Sequence, residues 1–212
     1  MKVFLSPNFE TDKLDDPTFD DVVDVFKDRM LYWLFEPAKK LLKERDDYFC
    51  ALSLLLSYFE GIWSYVTGED SRGKSKIFFK EAFVDVFNSS GMSKELSEKV
   101  SDVLYEDGRC GLFHDTMVRR RVCISELNHG DMLVTLPRKK DGTIDKEGTI
   151  ESVIIDPRRF TAAVERHFVG YLCSLRNPDE TQKRDNFLKM AKDKWDWEGD
   201  GTIVGINSDG TS

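Results

Sequence analysis

The 212-residue chain is long enough to bury a sizeable core and short enough to read as one domain. Its 40% apolar and 33% charged residues are ordinary for a globular protein, and a net charge of -8 argues against broad, non-specific nucleic-acid binding because phosphates would be repelled. Residues 1–9 carry no basic, apolar signal segment and no stretch reads as a membrane span, so a cytoplasmic protein without membrane contact is expected.

Residues 1–16 read as an irregular lead-in. Pro17 marks a helix start, and Phe19, Val22, Val23, Phe26, Met30 and Trp33 follow at helical spacing. Pro37 is expected to interrupt that helix and leave 38–45 as a second, shorter piece, because proline lacks a backbone donor and crowds the preceding turn. Asp46 or Asp47 can cap the next helix. There Leu52, Leu55, Leu56, Phe59, Ile62, Trp63 and Val66 fall at i, i+3, i+4, i+7, i+10, i+11 and i+14, the strongest periodic signal in the chain and the mark of a buried helix. After a polar stretch over 68–75, Phe79, Phe83, Val86 and Phe87 mark another helix, which stops at NSSG over 88–91. Ser93, Leu96 and Leu104 predict a further long helix through 93–105, extending towards His114.

The pattern then changes. Short β-branched runs at 122–127 and 132–136 flank Asn128-His129-Gly130, a hairpin signal, and Asp141-Gly142 marks a second turn. Residues 152–155 form a third strand candidate. Asp156-Pro157 reads as a cap and first helical residue, followed by a helix carrying Phe160, Val164, Phe168, Tyr171, Leu172 and Leu175. Pro178 ends it, and a last helix over 181–193 carries Phe187 and Leu188. The expected fold is mainly α: a helical bundle with a small antiparallel hairpin or meander, about 121–156, inserted after the fourth long helix. A single domain over 1–198 would then precede a flexible tail over 199–212.

Two stretches carry candidate chemistry. Residues 68–75 read GEDSRGKS, which fits G-x-x-x-x-G-K-[ST] letter for letter. A phosphate-cradling loop needs a strand entering and a helix leaving. Here Ile62, Trp63 and Val66 continue a helical register into the loop, and Glu69 and Asp70 would oppose a triphosphate. The stretch is read as a helix connector, Asp156 as a helix cap rather than a magnesium ligand, and nucleotide binding as a distant third reading. The second stretch is Arg109-Cys110-Gly111-Leu112-Phe113-His114, with Arg119, Arg120 and Arg121 just beyond. Five residues on an ideal helix turn roughly 140°, so Arg109 and His114 would not share a face unless Gly111 loosened the helix. An imidazole can take a proton from a ribose 2′-hydroxyl, and a guanidinium can brace a phosphate. Together they suffice for metal-free RNA cleavage, with Arg119–Arg121 as RNA contacts. The structural alternative pairs Arg109 with Glu106, Asp107 or Asp115 and leaves His114 to cap the helix end.

The helical layout with R-x-x-x-x-H at the end of the fourth helix, together with YEDGRCGLFHD and SYFEGIWSYVTGEDSRGKSKIFF, resembles the HEPN superfamily, mainly over 46–120. The resemblance implies an all-helical domain that dimerises with two R-x-x-x-x-H motifs facing each other. Catalytic members are metal-independent endoribonucleases that leave a 2′,3′-cyclic phosphate, often in toxin–antitoxin, defence or RNA-processing systems. Arg109 and His114 would be the catalytic pair. No cofactor is implied, and the partners implied are a second copy, single-stranded RNA, or an antitoxin-like protein. Active members usually place Asn, Asp or His directly after the arginine, where this chain has Cys110, and many members are non-catalytic protein- or RNA-binding modules. Both readings therefore stand.

Other constellations are set aside. Cys110, His114, Cys123 and His129 match no common zinc spacing. With Cys50 and Cys173, the cysteines form no C-x-x-C and read as reduced thiols. His167 falls near an apolar stripe and reads as a satisfied, partly buried histidine, and His129 as an exposed turn residue. The Trp195–Trp197 pair is read as docking on the bundle or a partner.

Overall fold

The computed structural model describes residues 4–88 and 91–195. Ser89 and Ser90 of the NSSG break, Trp197, and the tail from Gly199 lie outside the described residues. A short antiparallel ribbon of β1 (Phe4–Ser6) and β2 (Phe9–Glu10) precedes α1 (Phe19–Arg29). Pro17 stands one residue before the cap. Thr18 accepts from the Asp21 backbone while the Asp21 carboxylate accepts from the Thr18 N–H, a reciprocal capping box.

Pro37 does not split this helix. The chain widens into a π-turn over Met30–Phe35, where the Glu36 N–H reaches back to the Leu31 carbonyl, and then continues as α2 (Glu36–Leu41). Proline can offer no N–H to the turn before it and crowds the carbonyl four residues back. One wide turn absorbs both demands without ending the helix.

The centre of the bundle is α3 (Tyr48–Thr67), and α4 (Ser75–Asn88) and α8 (Thr181–Trp195) pack against it. By length and composition, 45–67 is apolar enough to cross a bilayer, contrary to the expectation that no stretch is. In the fold its Ala51, Leu52, Leu55, Leu56, Phe59 and Ile62 side is buried in protein, the setting of a core helix. The Phe59 ring lies 5.1 Å from that of Phe79, 5.4 Å from Phe83 and 5.9 Å from Phe160.

Ser93 caps α5 (Lys94–Val103) by accepting from the Leu96 N–H. A second π-turn over Leu104–Arg109 links α5 to α6 (Cys110–Asp115) without a break. The sheet that follows lies between α6 and α7 (Pro157–Arg176), and the chain is mainly helical with a small β insertion, as expected. The strand order differs from a hairpin meander. The runs at β3 (Val122–Ile124) and β4 (Met132–Thr135) do not pair with each other. Instead β5 (Ser152–Ile155) lies between them, parallel to β3 and antiparallel to β4. Val153 and Ile155, both fully buried, claim the centre of the sheet. The would-be hairpin turn is held by α7 instead: Arg159 donates to the Asn128 carbonyl at 2.9 Å, and the Asp156 N–H to the Asp131 carbonyl at 3.0 Å.

Asp156 fastens this insertion to the bundle. Its carboxylate caps α7 by accepting from the Arg158 and Arg159 N–H groups, both at 3.0 Å, and also accepts the Leu127 N–H at 2.8 Å. Losing a cap costs about 1 kcal/mol and orphaning a buried donor about 1–3 kcal/mol more. Asp156→Ala is therefore expected to lose about 2–4 kcal/mol in urea unfolding. A loss below about 0.5 kcal/mol, ordinary for a surface site, would contradict this anchoring role.

Candidate functional site

Arg109 closes the wide turn and projects onto α3. Its Nη2 donates to Glu60 Oε2 at 2.9 Å, with both side chains about one-fifth exposed (22% and 20%). The guanidinium also lies over the Phe113 ring at 4.9 Å and the Tyr105 ring at 5.7 Å. The expected partners Glu106, Asp107 and Asp115 are engaged elsewhere. Glu60 also binds the connector: its Oε1 accepts from Ser71 Oγ at 2.9 Å and Ser75 Oγ at 2.8 Å. GEDSRGKS thus joins α3 to α4, with no strand feeding it, and two of its hydroxyls point at a carboxylate rather than a phosphate. Lys74 pairs with Glu69 at 2.8 Å.

Gly111 does not end the helix, which runs on to Asp115. Arg109 and His114 therefore stay on one helical run, roughly 140° apart. The chain reverses after Asp115 through Thr116, a β-branched residue at φ 63°, a conformation such residues rarely adopt. The returning segment crosses Gly111 so closely that a Cβ there would sit 2.7 Å from the Met117 carbonyl oxygen and 3.2 Å from the Arg119 nitrogen. That approach lets the Arg119 N–H reach the Asp107 carbonyl at 2.7 Å. Gly111→Ala would gain about 1 kcal/mol in helix propensity, against an overlap cost of about 1–3 kcal/mol. The clash should win. Gly111→Ala is expected to be less stable than wild type and to lose hydrogen-exchange protection at the Arg119 amide; a more stable variant would contradict the close approach.

His114 lies exposed in the last turn of α6 and has no hydrogen-bond or ion-pair partner among the described residues. No comparable freedom holds for two of the three arginines beyond it. Arg119 Nε donates to Asp115 at 2.7 Å, and its Nη1 to the Glu106 carbonyl at 3.2 Å. Arg121 pairs with Asp107 and, at 3.3 Å, with Glu106. Glu106 also accepts from Lys76, which holds its carboxyl below the usual range, with Arg121 adding to the effect. Among the described residues Arg120 alone of the run is exposed with no ion-pair partner, and with Arg121, Thr149, Ile150 and Glu151 it lines a surface hollow. The expected positive cluster is thus largely neutralised where it stands. Burial raises the Tyr105 hydroxyl above its ordinary value, with Cys110 beside it adding to the shift.

No family model, curated protein or solved structure matches this chain.

Among the described residues no group of three or more His, Cys, Asp or Glu side chains is gathered to hold a metal ion, and Cys110, His114, Cys123 and His129 form no such group. His167 is satisfied as expected: its Nδ1 faces the Tyr58 hydroxyl at 2.7 Å and its Nε2 faces Asp85 at 2.9 Å. Trp195 docks on the bundle, donating from Nε1 to the Tyr65 hydroxyl at 3.0 Å, and lies 4.4 Å from the Arg29 guanidinium.

Glu60, Ser71 and Ser75 escaped the sequence reading. One signal was available: Glu60 is the sole charge in the apolar run over 51–66. A lone carboxylate on a buried helix needs a paired cation.

Proposed function

We propose that this protein is a HEPN-like, metal-independent endoribonuclease acting on single-stranded RNA, in which Arg109 and His114 form each half of a site shared by a homodimer. The carrying observation is the contrast between the two side chains. Arg109 is held in one orientation by Glu60, while His114, on the same helix end, is exposed and unpartnered and so free to exchange a proton with substrate. In this reaction the 2′-oxygen attacks the adjacent phosphorus, and its proton passes to an imidazole. The P–O5′ bond breaks, the leaving oxygen takes up a proton, and a 2′,3′-cyclic phosphate remains. Arg109 braces the non-bridging oxygens as charge builds on them. Arg120, in no ion pair among the described residues, is the better placed of the three arginines to meet the flanking phosphate.

A second reading, a non-catalytic protein- or RNA-binding module, draws on the internal pairing of Arg109, Arg119 and Arg121 and on Cys110, a weak hydrogen-bonding group in the position after the arginine. Incubating purified protein with diverse single-stranded RNAs in EDTA separates the two. The ribonuclease reading expects cleavage with 2′,3′-cyclic phosphate ends. RNAs left intact would leave the binding module, and RNAs cut only when a divalent metal is supplied would overturn the metal-independent mechanism.

A further inference from the structure

The carboxylate of Glu60 is held on both oxygens. Oε2 takes Arg109 Nη2, and Oε1 takes the hydroxyls of Ser71 and Ser75. Neutralising a half-buried acid requires only the arginine. The two hydroxyls, arriving from the α3–α4 connector and the first residue of α4, do something further: they fix the carboxylate's rotamer, and through it the plane of the guanidinium. Phe113 and Tyr105 supply the aromatic faces over which that plane lies. Among the described residues Arg109 commits only Nη2 to a protein acceptor, leaving Nε and Nη1 to address an incoming anion.

We infer that Glu60 is the positioning residue for Arg109 and that Ser71 and Ser75 position Glu60, so that the 68–75 connector belongs to the catalytic apparatus without touching substrate. This rests on the ribonuclease reading of Arg109 and His114. It assigns the serines of a phosphate-loop look-alike to holding an acid, which in turn aims a cation at the phosphate of RNA.

Three variants test it: Glu60→Gln, Glu60→Asp and the Ser71→Ala/Ser75→Ala pair, each measured for RNA cleavage in EDTA and for the NMR signals of the Arg109 guanidinium, assigned by their absence in Arg109→Lys. The wild type should show separate Arg109 Nη signals, because rotation about the Nε–Cζ bond is restrained. Glu60→Gln should merge them and lower kcat by about 10- to 100-fold with KM within about threefold, the pattern of a misaimed rather than an unbound group. Glu60→Asp should recover part of the loss, and the serine pair should fall between. Should Glu60→Gln fold poorly, the serine pair carries the same measurements. Separate Nη signals persisting in Glu60→Gln, or cleavage at the wild-type rate, overturn the inference. If the wild type cuts no RNA, the ribonuclease reading falls, and the Nη signals alone decide whether Glu60 orients Arg109.

Discussion

Replacing His114 by alanine is expected to lower EDTA-resistant RNA cleavage by about 100- to 10,000-fold, the range set by removing a general acid–base group. Stability should be untouched. His114 is exposed and bonded to nothing among the described residues, and such surface substitutions stay within about 0.5 kcal/mol. The separation of the two effects makes the variant diagnostic. Arg109→Ala would not serve as well, because it also leaves Glu60 without its cation and uncovers the Phe113 ring. The comparison is a time course of labelled single-stranded RNA with matched protein concentrations and matched melting curves. A His114→Ala protein that cuts as fast as wild type would show that the cleavage has another source. One that has lost cleavage but still binds RNA as tightly would support His114 as a proton-transfer group rather than a binding contact.

The second large effect concerns the core. Phe59→Ala is expected to destabilise the protein by about 3–5 kcal/mol, because a fully buried aromatic leaves both its transfer energy and a cavity behind. Phe59 is fully buried, and its ring meets those of Phe79, Phe83, Phe87 and Phe160 as well as the adjacent Tyr58. All but Tyr58 come from α4 and α7, so collapse into the void would require two helices to shift together. Phe59→Leu, which keeps much of the volume, should cost less than about 1.5 kcal/mol. Phe113→Ala is the contrast: that ring is 59% exposed, and its removal should scarcely register in denaturant unfolding. A Phe59→Ala midpoint indistinguishable from that of Phe113→Ala would contradict the packing of α3 at the centre of the bundle.

The helices were legible because their signal is local. The i, i+3, i+4 spacing from Leu52 to Val66, the Ser93 and Asp156 caps and the helix-ending Pro178 each act within a few residues of themselves. From these the helical bundle, the inserted sheet, the satisfied His167 and the connector nature of GEDSRGKS could be read directly. The two π-turns were not legible. Whether a proline ends a helix or widens it depends on what holds the helix on either side, and here Val25, Phe26, Leu34 and Phe35 are buried across the irregularity. The strand order was hidden for a similar reason. Asn128-His129-Gly130 is a fair turn by composition, but β5 brings two fully buried side chains, Val153 and Ile155, and takes the centre, and the turn is held by Arg159 and by the backbone of Asp156.

The candidate site divides in the same way. Arg109 and His114 were visible as residue types at a suggestive spacing, and so were the three arginines beyond them. Which cations remain available was decided by acids distant in sequence or across a reversal: Glu60 lies 49 residues before Arg109, and Asp107 lies 14 before Arg121. Composition and periodicity thus determined by themselves that this chain forms a helical bundle around α3 and that an arginine, a histidine and three further arginines stand close together along the chain after it. Tertiary structure alone decided that Glu60 pairs with Arg109, that Asp107 and Asp115 occupy Arg121 and Arg119, and that His114 and Arg120 have no ion-pair partner among the described residues. Helix signals run along the chain, whereas charges pair through space, and their partners are set only once the helices have packed.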